Sequence, residues 1–531
     1  MLAKKVALVI LGSSHNDVRW IHESLSQQGH HTCYQKKIDL VPSFELLVNI
    51  TDQFILWNVQ ATEDIVSQLD LSTIDQCYSR RGSEHEPVDI LFRIAIYNLL
   101  CGYPSPSDWA RNAQTCNATR FVARMRMPSK SALYRFRDKA KFFIDELFVQ
   151  VLHLARDEGM LQGAEAAVDG TYIDALASRH RIVNKVTLTK RIKLLENKMG
   201  TPKDEVEATT ESDRDLKWMA TTDSGRLDQL DRYQQAQDEL AKRLEKNAKK
   251  QSSDRLDESK VYVSTSDPRV PISRNKLNVF GPLWPTQFVT HVGSNLVLAA
   301  CVFSIASDSN TIGSMIDLAR SNCDVEIRTV YADAGYTSLS DIRSCLQRSI
   351  NLVAPVGENS FTERNKQAKI AQTVQPPTFT KNDFVFNYGG IECTCPNGVT
   401  IHGVKDGKRE LPNGEVLQCY RFNFGTNVCH ACPLIARCKE GDSSTRSVKL
   451  IEGEKVIADH KAAMTPDVLS KCRSIRAQTA EKAFANAKER GGLRKLGCRT
   501  LARARAITIL HILAMNIKTL FTFRQAKEKA G

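Results

Sequence analysis

The sequence predicts an α/β protein with large helical segments, and two observations support this class. Apolar runs rich in β-branched residues occur at 163–178, 283–305 and 325–331. Around them, apolar residues recur at three- and four-residue spacing, as on one face of a helix. The chain has 531 residues, 42% hydrophobic and 25% charged. That composition is ordinary for a soluble protein with a large core.

Residues 1–75 are expected to form a small α/β module. Apolar runs at 6–11 and 54–59 predict strands, and residues 16–28 predict a helix that ends before Gly29. A glycine-rich phosphate loop is absent from this stretch, so the sequence leaves the role of the module open.

Residues 76–160 are expected to form a helical domain. Val88 to Leu100 is apolar at helical spacing, and a second long helix is predicted over 131–155. A Pro-Ser-Pro-Ser segment separates them, and Ser107 is a candidate cap for the helix that follows.

This helical domain carries a concentration of positive charge. Between positions 120 and 141 there are eight basic residues and one acid, Asp138. A solvated helix face is the ordinary explanation of such a run. The alternative is a DNA-binding domain that contacts backbone phosphates. Its candidate residues are Arg120, Arg124, Arg135, Arg137 and Lys141.

The first predicted core strand lies within 163–178 and carries Asp169. A polar, helix-rich stretch follows at 180–262 and predicts an inserted helical hairpin. A DNA clamp or dimer contact and a merely exposed insertion remain equal interpretations of it.

The next segments complete a core. Two runs joined by Gly293-Ser-Asn predict a strand hairpin at 287–303. A helix is predicted at 311–320, and strands at 325–331 and 351–355. Residues 462–523 are helical in pattern.

Three acidic motifs are spread along this core. They are Ala-Val-Asp-Gly-Thr with Asp169, Tyr-Ala-Asp-Ala-Gly-Tyr with Asp333, and Ala-Glu-Lys-Ala-Phe with Glu481. Two aspartates at strands and a glutamate on a helix can converge on a pair of hard divalent cations, which clamp both sides of a phosphoryl displacement. Taken singly, the aspartates could be turn residues and Glu481 a first-turn helix acid.

The ordered set of motifs resembles the DDE transposases of bacterial insertion sequences. It is most similar to the branch with a cysteine cluster between the second Asp and the Glu. The resemblance runs from about Asp75 to Phe523 and implies a ribonuclease H-like core at 161–356 and 455–525. It also implies that Asp169, Asp333 and Glu481 hold two Mg²⁺ ions, for which Mn²⁺ can substitute.

The resemblance implies a further DNA contact at Lys488, seven residues after Glu481. The family pattern also has a Tyr and an Arg before the Glu, where this chain has Ser474 and Ala477. Arg476 is close, but α-helical geometry predicts that it faces away from Glu481. The basic residues that follow are candidate phosphate contacts, with ordinary surface charge as the alternative; they are Arg490, Arg494, Lys495 and Arg499.

Residues 357–454 form a cysteine-rich insertion. It contains Cys429-His-Ala-Cys432, a third cysteine at Cys438, and Cys395 upstream. The resemblance implies that these four thiolates bind one structural Zn²⁺. Cys393, Cys419 and His430 are further candidates. Redox-active or simply buried cysteines are the alternative interpretation.

The net charge of +13 suits a polyanionic partner. The expected function is cleavage of double-stranded DNA at the terminal inverted repeats of an element and joining to target DNA. The expected assembly is a homodimer or larger, in the bacterial cytoplasm at the nucleoid and without a membrane partner. A DDE-type nuclease without strand transfer and a domesticated transposase that only binds DNA are the alternatives.

Overall fold

The structure is a computed structural model that describes residues 52–78, 85–199, 218–249, 255–275, 278–304, 310–356, 379–411, 414–438 and 445–530. The strand predicted at 6–11 and the helix predicted at 16–28 lie outside the described residues. The strand predicted at 54–59 is wrong, because these residues belong to a helix. Its buried residues include Leu56, Val59 and Ile65, and Asp52 accepts a hydrogen bond from the Phe54 N–H at 2.8 Å as its cap.

The described residues between 53 and 157 form helices and the turns that join them. The helices are α1 (Gln53–Val66), α2 (Ser72–Gln76), α3 (Val88–Leu100), α4 (Pro106–Thr115), α5 (Asn117–Val122), α6 (Lys130–Lys139) and α7 (Ile144–Asp157). The predicted helix over 131–155 is therefore two helices, separated by a 3₁₀ turn at Ala140–Phe142. The cap of α4 is Ser105 rather than Ser107, and its hydroxyl accepts from the Ser107 N–H at 3.2 Å.

The next part alternates strands and helices. Its elements are β1 (Glu165–Asp174), β2 (Ile182–Val183), α8 (Lys185–Asn197), α9 (Asp223–Ala248), β3 (Val263–Ser264), β4 (Ile272–Arg274), β5 (Phe280–His291), β6 (Val297–Val302), α10 (Ile312–Cys323), β7 (Thr329–Tyr331), α11 (Leu339–Gln347) and β8 (Asn351–Val353).

A mixed sheet forms the centre of the fold, in the order β6–β5–β1–β7–β8, with β4 also paired to β5. Strand β1 is antiparallel to β5, and Asp169 lies opposite Phe288. On its other side β1 runs parallel to β7, which runs parallel to β8. The first strand of the sheet is therefore central, and the strand after which Asp333 lies is its direct neighbour.

Two helices, α8 and α9, occupy most of the described residues in the stretch 180–262, where the sequence predicts a helical insertion. Helices α8 and α9 pack against each other around a small core of their own that includes Leu188, Leu195, Tyr233 and Leu240. Arg243 of α9 fixes the base of the insertion, since its guanidinium donates to the backbone carbonyls of residues 262, 268 and 270.

In its described residues, the cysteine-rich part contains two small sheets and two short helices. Its elements are β9 (Val385–Asn387), β10 (Glu392–Thr394), β11 (Thr400–His402), β12 (Val404–Glu410), β13 (Val416–Phe424), α12 (Thr426–His430), α13 (Ile435–Cys438) and β14 (Arg446–Ile451). Phe384, Phe422 and Phe424 are buried in its core with Cys429 and Cys438.

The final elements are helices, and a non-helical stretch at 491–500, within the range predicted to be helical, precedes the last of them. They are α14 (Lys455–Ala463), α15 (Pro466–Arg476), a π-helical segment (Ala477–Glu481), α16 (Lys482–Ala485), a second π-helical segment (Asn486–Arg490) and α17 (Leu501–Ala530).

Helix α17 is the central helix of the main core. It contacts α1, α3, α7 and β6. By length and composition it is also apolar enough to cross a membrane, but 72% of its most apolar window is buried inside the protein. Its apolar character is therefore explained by core packing. Asn516 makes two hydrogen bonds with the backbone of Val297, so the helix is tied to β6.

One aromatic stack holds the Glu481 helix against the sheet. The rings of Phe484 and Phe288 lie 4.2 Å apart between centroids at an angle of 16°. Replacing Phe484 by Ala should lower the free energy of unfolding by about 3–5 kcal/mol, as for other buried Phe-to-Ala changes. Denaturant unfolding measures the loss. Phe142→Ala is the control, since that ring is 67% exposed and should change stability by less than about 1 kcal/mol. Equal losses in both variants would contradict the assigned role of the stack.

Candidate active site

The three predicted acids converge on one cation of the chain. The Nη2 atom of Arg476 lies 3.5 Å from Asp169 Oδ1, 4.0 Å from Asp333 Oδ2 and 3.8 Å from Glu481 Oε1. Because one nitrogen atom lies within ion-pair distance of all three carboxylates, the acids surround a common point. The strand order places them there, since Asp169 is on β1, Asp333 follows the adjacent β7, and the segment ending at Glu481 packs on β1 and β5.

The expectation that Arg476 faces away from Glu481 is wrong. In an α-helix, residues five positions apart point in directions about 140° apart. Residues 477–481 are π-helical, and a π-helix makes i→i+5 hydrogen bonds. The wider turn places Arg476 and Glu481 on the same side. Nothing in the sequence indicates the π-helical segment. The only sign of a role for Arg476 is that it is a basic residue close to Glu481.

Each aspartate is fixed by its own backbone. Asp169 Oδ1 accepts from the Gly170 N–H at 2.8 Å, and Asp333 Oδ1 accepts from the Gly335 N–H at 2.8 Å at the start of a 3₁₀ turn. Such local hydrogen bonds are expected for any aspartate at a turn, so they do not by themselves indicate a functional site. The proximity of the two carboxylates to Arg476 is what distinguishes them from ordinary turn acids.

The electrostatics of the site favour a cation. Burial raises the pKa of Asp169 to about 6, against the lowering effects of Arg476 and the Gly170 N–H, and the charges of Asp333 and Glu481 raise it further. The Asp169 and Arg476 side chains are each only 14% exposed, whereas Asp333 and Glu481 are 41% and 53% exposed. The carboxylates therefore open toward solvent on one side, where a ligand can reach them.

Lys488, seven residues after Glu481, lies next to β1. Its ammonium donates to the Tyr172 carbonyl at 3.0 Å and to the Thr171 hydroxyl. Lys488, which is predicted to contact a DNA phosphate, therefore lies beside residues two and three positions along β1 from Asp169. In this structure its ammonium group donates hydrogen bonds to β1.

Two of the basic residues predicted to bind DNA are committed to the fold. Arg124 forms a buried ion pair with Glu63, with Nη1 2.9 Å from Oε1. Burial alone would raise the pKa of Glu63, but Arg124 and Arg93 hold it below its usual value. Arg137 is also buried, and it donates to Asp138 and to the Gly497 carbonyl.

The other basic candidates differ in exposure. Arg135 and Lys141 are exposed, and Arg120 is half-buried. Arg494 forms a surface ion pair with Glu489, and Arg499 is exposed at an open cleft. The exposed members of this set remain candidates for phosphate contact.

The four predicted zinc ligands line one small cavity of about 20 Å³. Cys429 and Cys432 lie at and just after α12, Cys438 is the last residue of α13, and Cys395 is in the turn after β10. Burial raises the pKa of the Cys438 thiol, Arg446 lowers it, and the other three cysteines raise it. Cys393, Cys419 and His430 do not line the cavity.

This donor set fits zinc in chemistry, because four free thiols face one cavity. Within the described ranges, however, no group of three or more His, Cys, Asp or Glu side chains is packed tightly enough to hold a metal ion. Both the thiol and the carboxylate clusters would have to contract around a metal.

Comparisons with known proteins agree with this site in part. Residues 394–521 match a family model described as a transposase DDE domain. The matched stretch contains the four cysteines, Glu481 and Lys488, whereas Asp169 and Asp333 precede it. The match supports an enzyme of the DDE transposase type, which cuts and joins DNA.

One solved structure is similar at low identity. It is a cryo-EM structure of the piggyBac transposase synaptic complex with hairpin DNA, at 11% identity and a TM-score of 0.30, over 91% of this chain and 75% of that chain. No match to a curated protein was found.

Arg476→Gln should strengthen the response of the protein to Mg²⁺. Without the guanidinium, no positive charge offsets the repulsion among the three carboxylates. Added Mg²⁺ is then no longer repelled by Arg476, so it should bind more tightly. A difference of roughly 1.4 kcal/mol in repulsion corresponds to tenfold in affinity, so the rise in unfolding temperature should begin at about tenfold lower Mg²⁺. A thermal unfolding titration measures this.

Arg473→Gln is the matched control for that titration. Arg473 lies on the same helix, is exposed, and forms no ion pair within the described residues. Its variant should follow the wild-type titration. A Mg²⁺ response of Arg476→Gln indistinguishable from that of Arg473→Gln would show that the carboxylates do not form a shared cation site.

Proposed function

We propose that this chain is a DNA transposase that cleaves the ends of an insertion element and joins them to target DNA by two-metal-ion phosphoryl transfer. The observation that carries the proposal is the convergence of Asp169, Asp333 and Glu481 around the Arg476 guanidinium. The matched transposase DDE domain at 394–521 agrees with it. The strand order supports a ribonuclease H-like core, because the first acid lies on β1 and the second lies just after β7, which follows β1, β5 and β6 in the row β6–β5–β1–β7–β8.

In this proposal the carboxylates of Asp169, Asp333 and Glu481 would hold two Mg²⁺ ions. When bound, such ions lower the pKa of the attacking water or 3′-OH and stabilise the charge on the leaving oxygen. Carboxylate oxygen is the ligand that Mg²⁺ prefers. The position of Arg476 supports the fit, because a cation already lies within 4.0 Å of each acid.

The side chains around the acids would bind and orient the DNA. Arg476 is attached to the helix beside the cation site, so its guanidinium can turn to a phosphate oxygen when the carboxylates are neutralised. Lys488 is placed to do the same farther along β1. Phe484 anchors the helix that carries both residues, which keeps their spacing from the sheet fixed.

Double-stranded DNA, as element ends and as target, is the proposed partner. The net charge of +13 supports it, as do the exposed cations Arg135, Lys141 and Arg499. Two ends must be brought together for joining, so we expect a homodimer or a larger assembly. We place the enzyme in the bacterial cytoplasm at the nucleoid, where its thiols remain reduced.

The cysteine-rich part is proposed to bind one structural Zn²⁺ through Cys395, Cys429, Cys432 and Cys438. The shared cavity supports this assignment. Four protein ligands leave no open coordination position, so the metal would stabilise the fold of this part rather than act in catalysis.

One reaction distinguishes the candidate functions. Purified protein is incubated with Mg²⁺ and a duplex that carries an element end, and the products are separated by size. Joined products indicate a transposase, nicks alone indicate a DDE-type nuclease, and a mobility shift without cleavage indicates a protein that only binds DNA.

Glu481→Gln should abolish nicking and joining, with a loss of at least about 100-fold. The amide keeps the shape but removes a metal-binding charge, and even outer partners of a metal site contribute about 10- to 100-fold. Binding of end DNA without metal should stay intact. Glu489→Gln is the control, since Glu489 is exposed and pairs with Arg494 at the surface. Cleavage at a near wild-type rate by Glu481→Gln would move the third carboxylate elsewhere.

Purified protein should contain about one zinc per chain by elemental analysis, as for a closed four-ligand site. Cys432→Ser should lose the zinc and lower the unfolding temperature. Cys419→Ser should keep the zinc, because Cys419 is half-buried in the neighbouring sheet and off the cavity. A folded, active wild type without zinc would refute the site.

A further inference from the structure

An open cleft lies beyond the end of β1, away from the acids. Its volume is about 370 Å³. Three segments meet there: the residues after β1 with Arg181, the loop after β3 with Ser266, and the stretch before α17 with Lys495 and Arg499. Of the three basic residues among them, Lys495 and Arg499 were singled out from the sequence and Arg181 was not.

The cleft has an excess of positive charge. Arg181, Lys495 and Arg499 are exposed, and none of them lies within ion-pair distance of a carboxylate in the described parts of the chain. Two nearby arginines in the sequence do have acidic partners: Arg494 pairs with Glu489, and Arg503 pairs with Asp138. Cations that a protein leaves without acidic partners around a concave surface favour an anionic ligand.

The acids near the cleft do not cancel this charge. Asp267 is buried, and its carboxylate accepts from the Thr500 N–H at 2.7 Å. Asp174 is exposed at the end of β1 and forms no ion pair within the described residues. Asp267 interacts electrostatically with Arg499. With three cations against two acids, one of them buried, the surface remains net positive.

Backbone hydrogen bonds fix the cleft to the active-site strand. The Asp174 N–H donates to the Arg494 carbonyl at 3.1 Å, and the Leu496 N–H donates to the Asp174 carbonyl at 2.9 Å. Lys495 is therefore held beside the last residue of β1. On the other wall, the Arg181 carbonyl accepts from the Thr265 N–H at 2.9 Å. Both walls of the cleft are therefore held by backbone hydrogen bonds.

The cations form a track along β1. Arg476 lies at Asp169, Lys488 at Thr171 and Tyr172, and Lys495 at Asp174. From Asp169 to the end of β1 the strand rises about 17 Å. One strand of duplex DNA presents a phosphate about every 3.4 Å of helix axis, so this distance corresponds to about five base pairs.

We propose that the cleft of Arg181, Lys495 and Arg499 binds backbone phosphates of duplex DNA about five base pairs from the phosphodiester held at the three acids. The assignment rests on the proposed function, because it takes the acids as the site of cleavage. The shared ligand chemistry is a phosphate oxyanion, for which a nucleic acid backbone or free phosphate could be the source. The alignment of the cations along one strand favours the backbone.

The test is the salt dependence of DNA binding by the variant Arg181→Gln, Lys495→Gln, Arg499→Gln, measured by fluorescence anisotropy without divalent metal. Each phosphate contact contributes about 0.9 to the slope of log affinity against log salt, so the slope should fall by roughly 2–3. A second triple variant, Arg328→Gln, Lys527→Gln, Lys529→Gln, removes the same charge from exposed positions elsewhere and should keep the wild-type slope. Unfolding temperatures confirm that both variants fold.

Position along the DNA is tested with duplexes in which single phosphates are replaced by neutral methylphosphonates. Wild type should lose affinity most when the replaced linkage lies about five base pairs from the cut, and the cleft variant should not respond there. An unchanged salt slope in the cleft variant, or an unchanged methylphosphonate profile, would overturn the assignment.

Further outcomes distinguish free phosphate from the DNA backbone as the ligand. They also distinguish failure of the cleft assignment from failure of the proposed function. If inorganic phosphate raises the unfolding temperature of wild type but not of the cleft variant, while DNA affinity stays equal, the cleft is a free-anion site and the proposal is wrong. If the wild type cleaves DNA and the cleft variant keeps the wild-type salt slope of DNA binding, only the cleft assignment is rejected. A wild type that binds DNA but never cleaves rejects the proposed function, while a reduced slope in the variant would still support a phosphate-binding cleft.

Discussion

Three carboxylates held close together at the middle of a sheet repel one another, and the surrounding structure is organised to hold them there. Strands β1 and β7 are neighbours, so the two aspartates are fixed by the register of the sheet. The glutamate comes from a helix that is pressed onto β5 by the stack of Phe484 on Phe288. Arg476 then supplies the opposite charge. Without a cation at this point, the acids would push apart the elements that the core packs together.

The convergence of the acids could be predicted from the sequence because three motifs occur in an order that resembles the DDE transposases, although each acid alone has an ordinary explanation. Asp169 interrupts an alternating strand, Asp333 follows a buried one, and Glu481 precedes an apolar helix residue. The position of Arg476 could not, because a π-helical turn leaves no periodic pattern that differs from that of an α-helix. The strand expected at 54–59 failed for a related reason, since a short apolar run does not distinguish a strand from a buried helix.

The basic residues at 120–141 show a second limit of sequence reasoning. Arg124 and Arg137 look like members of one cationic face, yet their partners are distant in the chain. Glu63 lies 61 positions from Arg124, and the Gly497 carbonyl lies 360 positions from Arg137. A charge run cannot show which members are neutralised by such contacts. The same holds for the cleft beyond β1, whose three cations come from two segments more than 300 residues apart.

Helix α17 has a consequence for how this protein reaches its native state. Its Arg524 pairs with Asp64 of α1 across 460 positions, and its apolar side chains fill the space between α1, α3 and the sheet. The helices made first on the ribosome therefore have no complete core until α17 has been synthesised. Contacts of such separation slow folding and leave apolar surface exposed in the nascent chain. Chaperone demand during synthesis should be high, and fragments that lack α17 should aggregate.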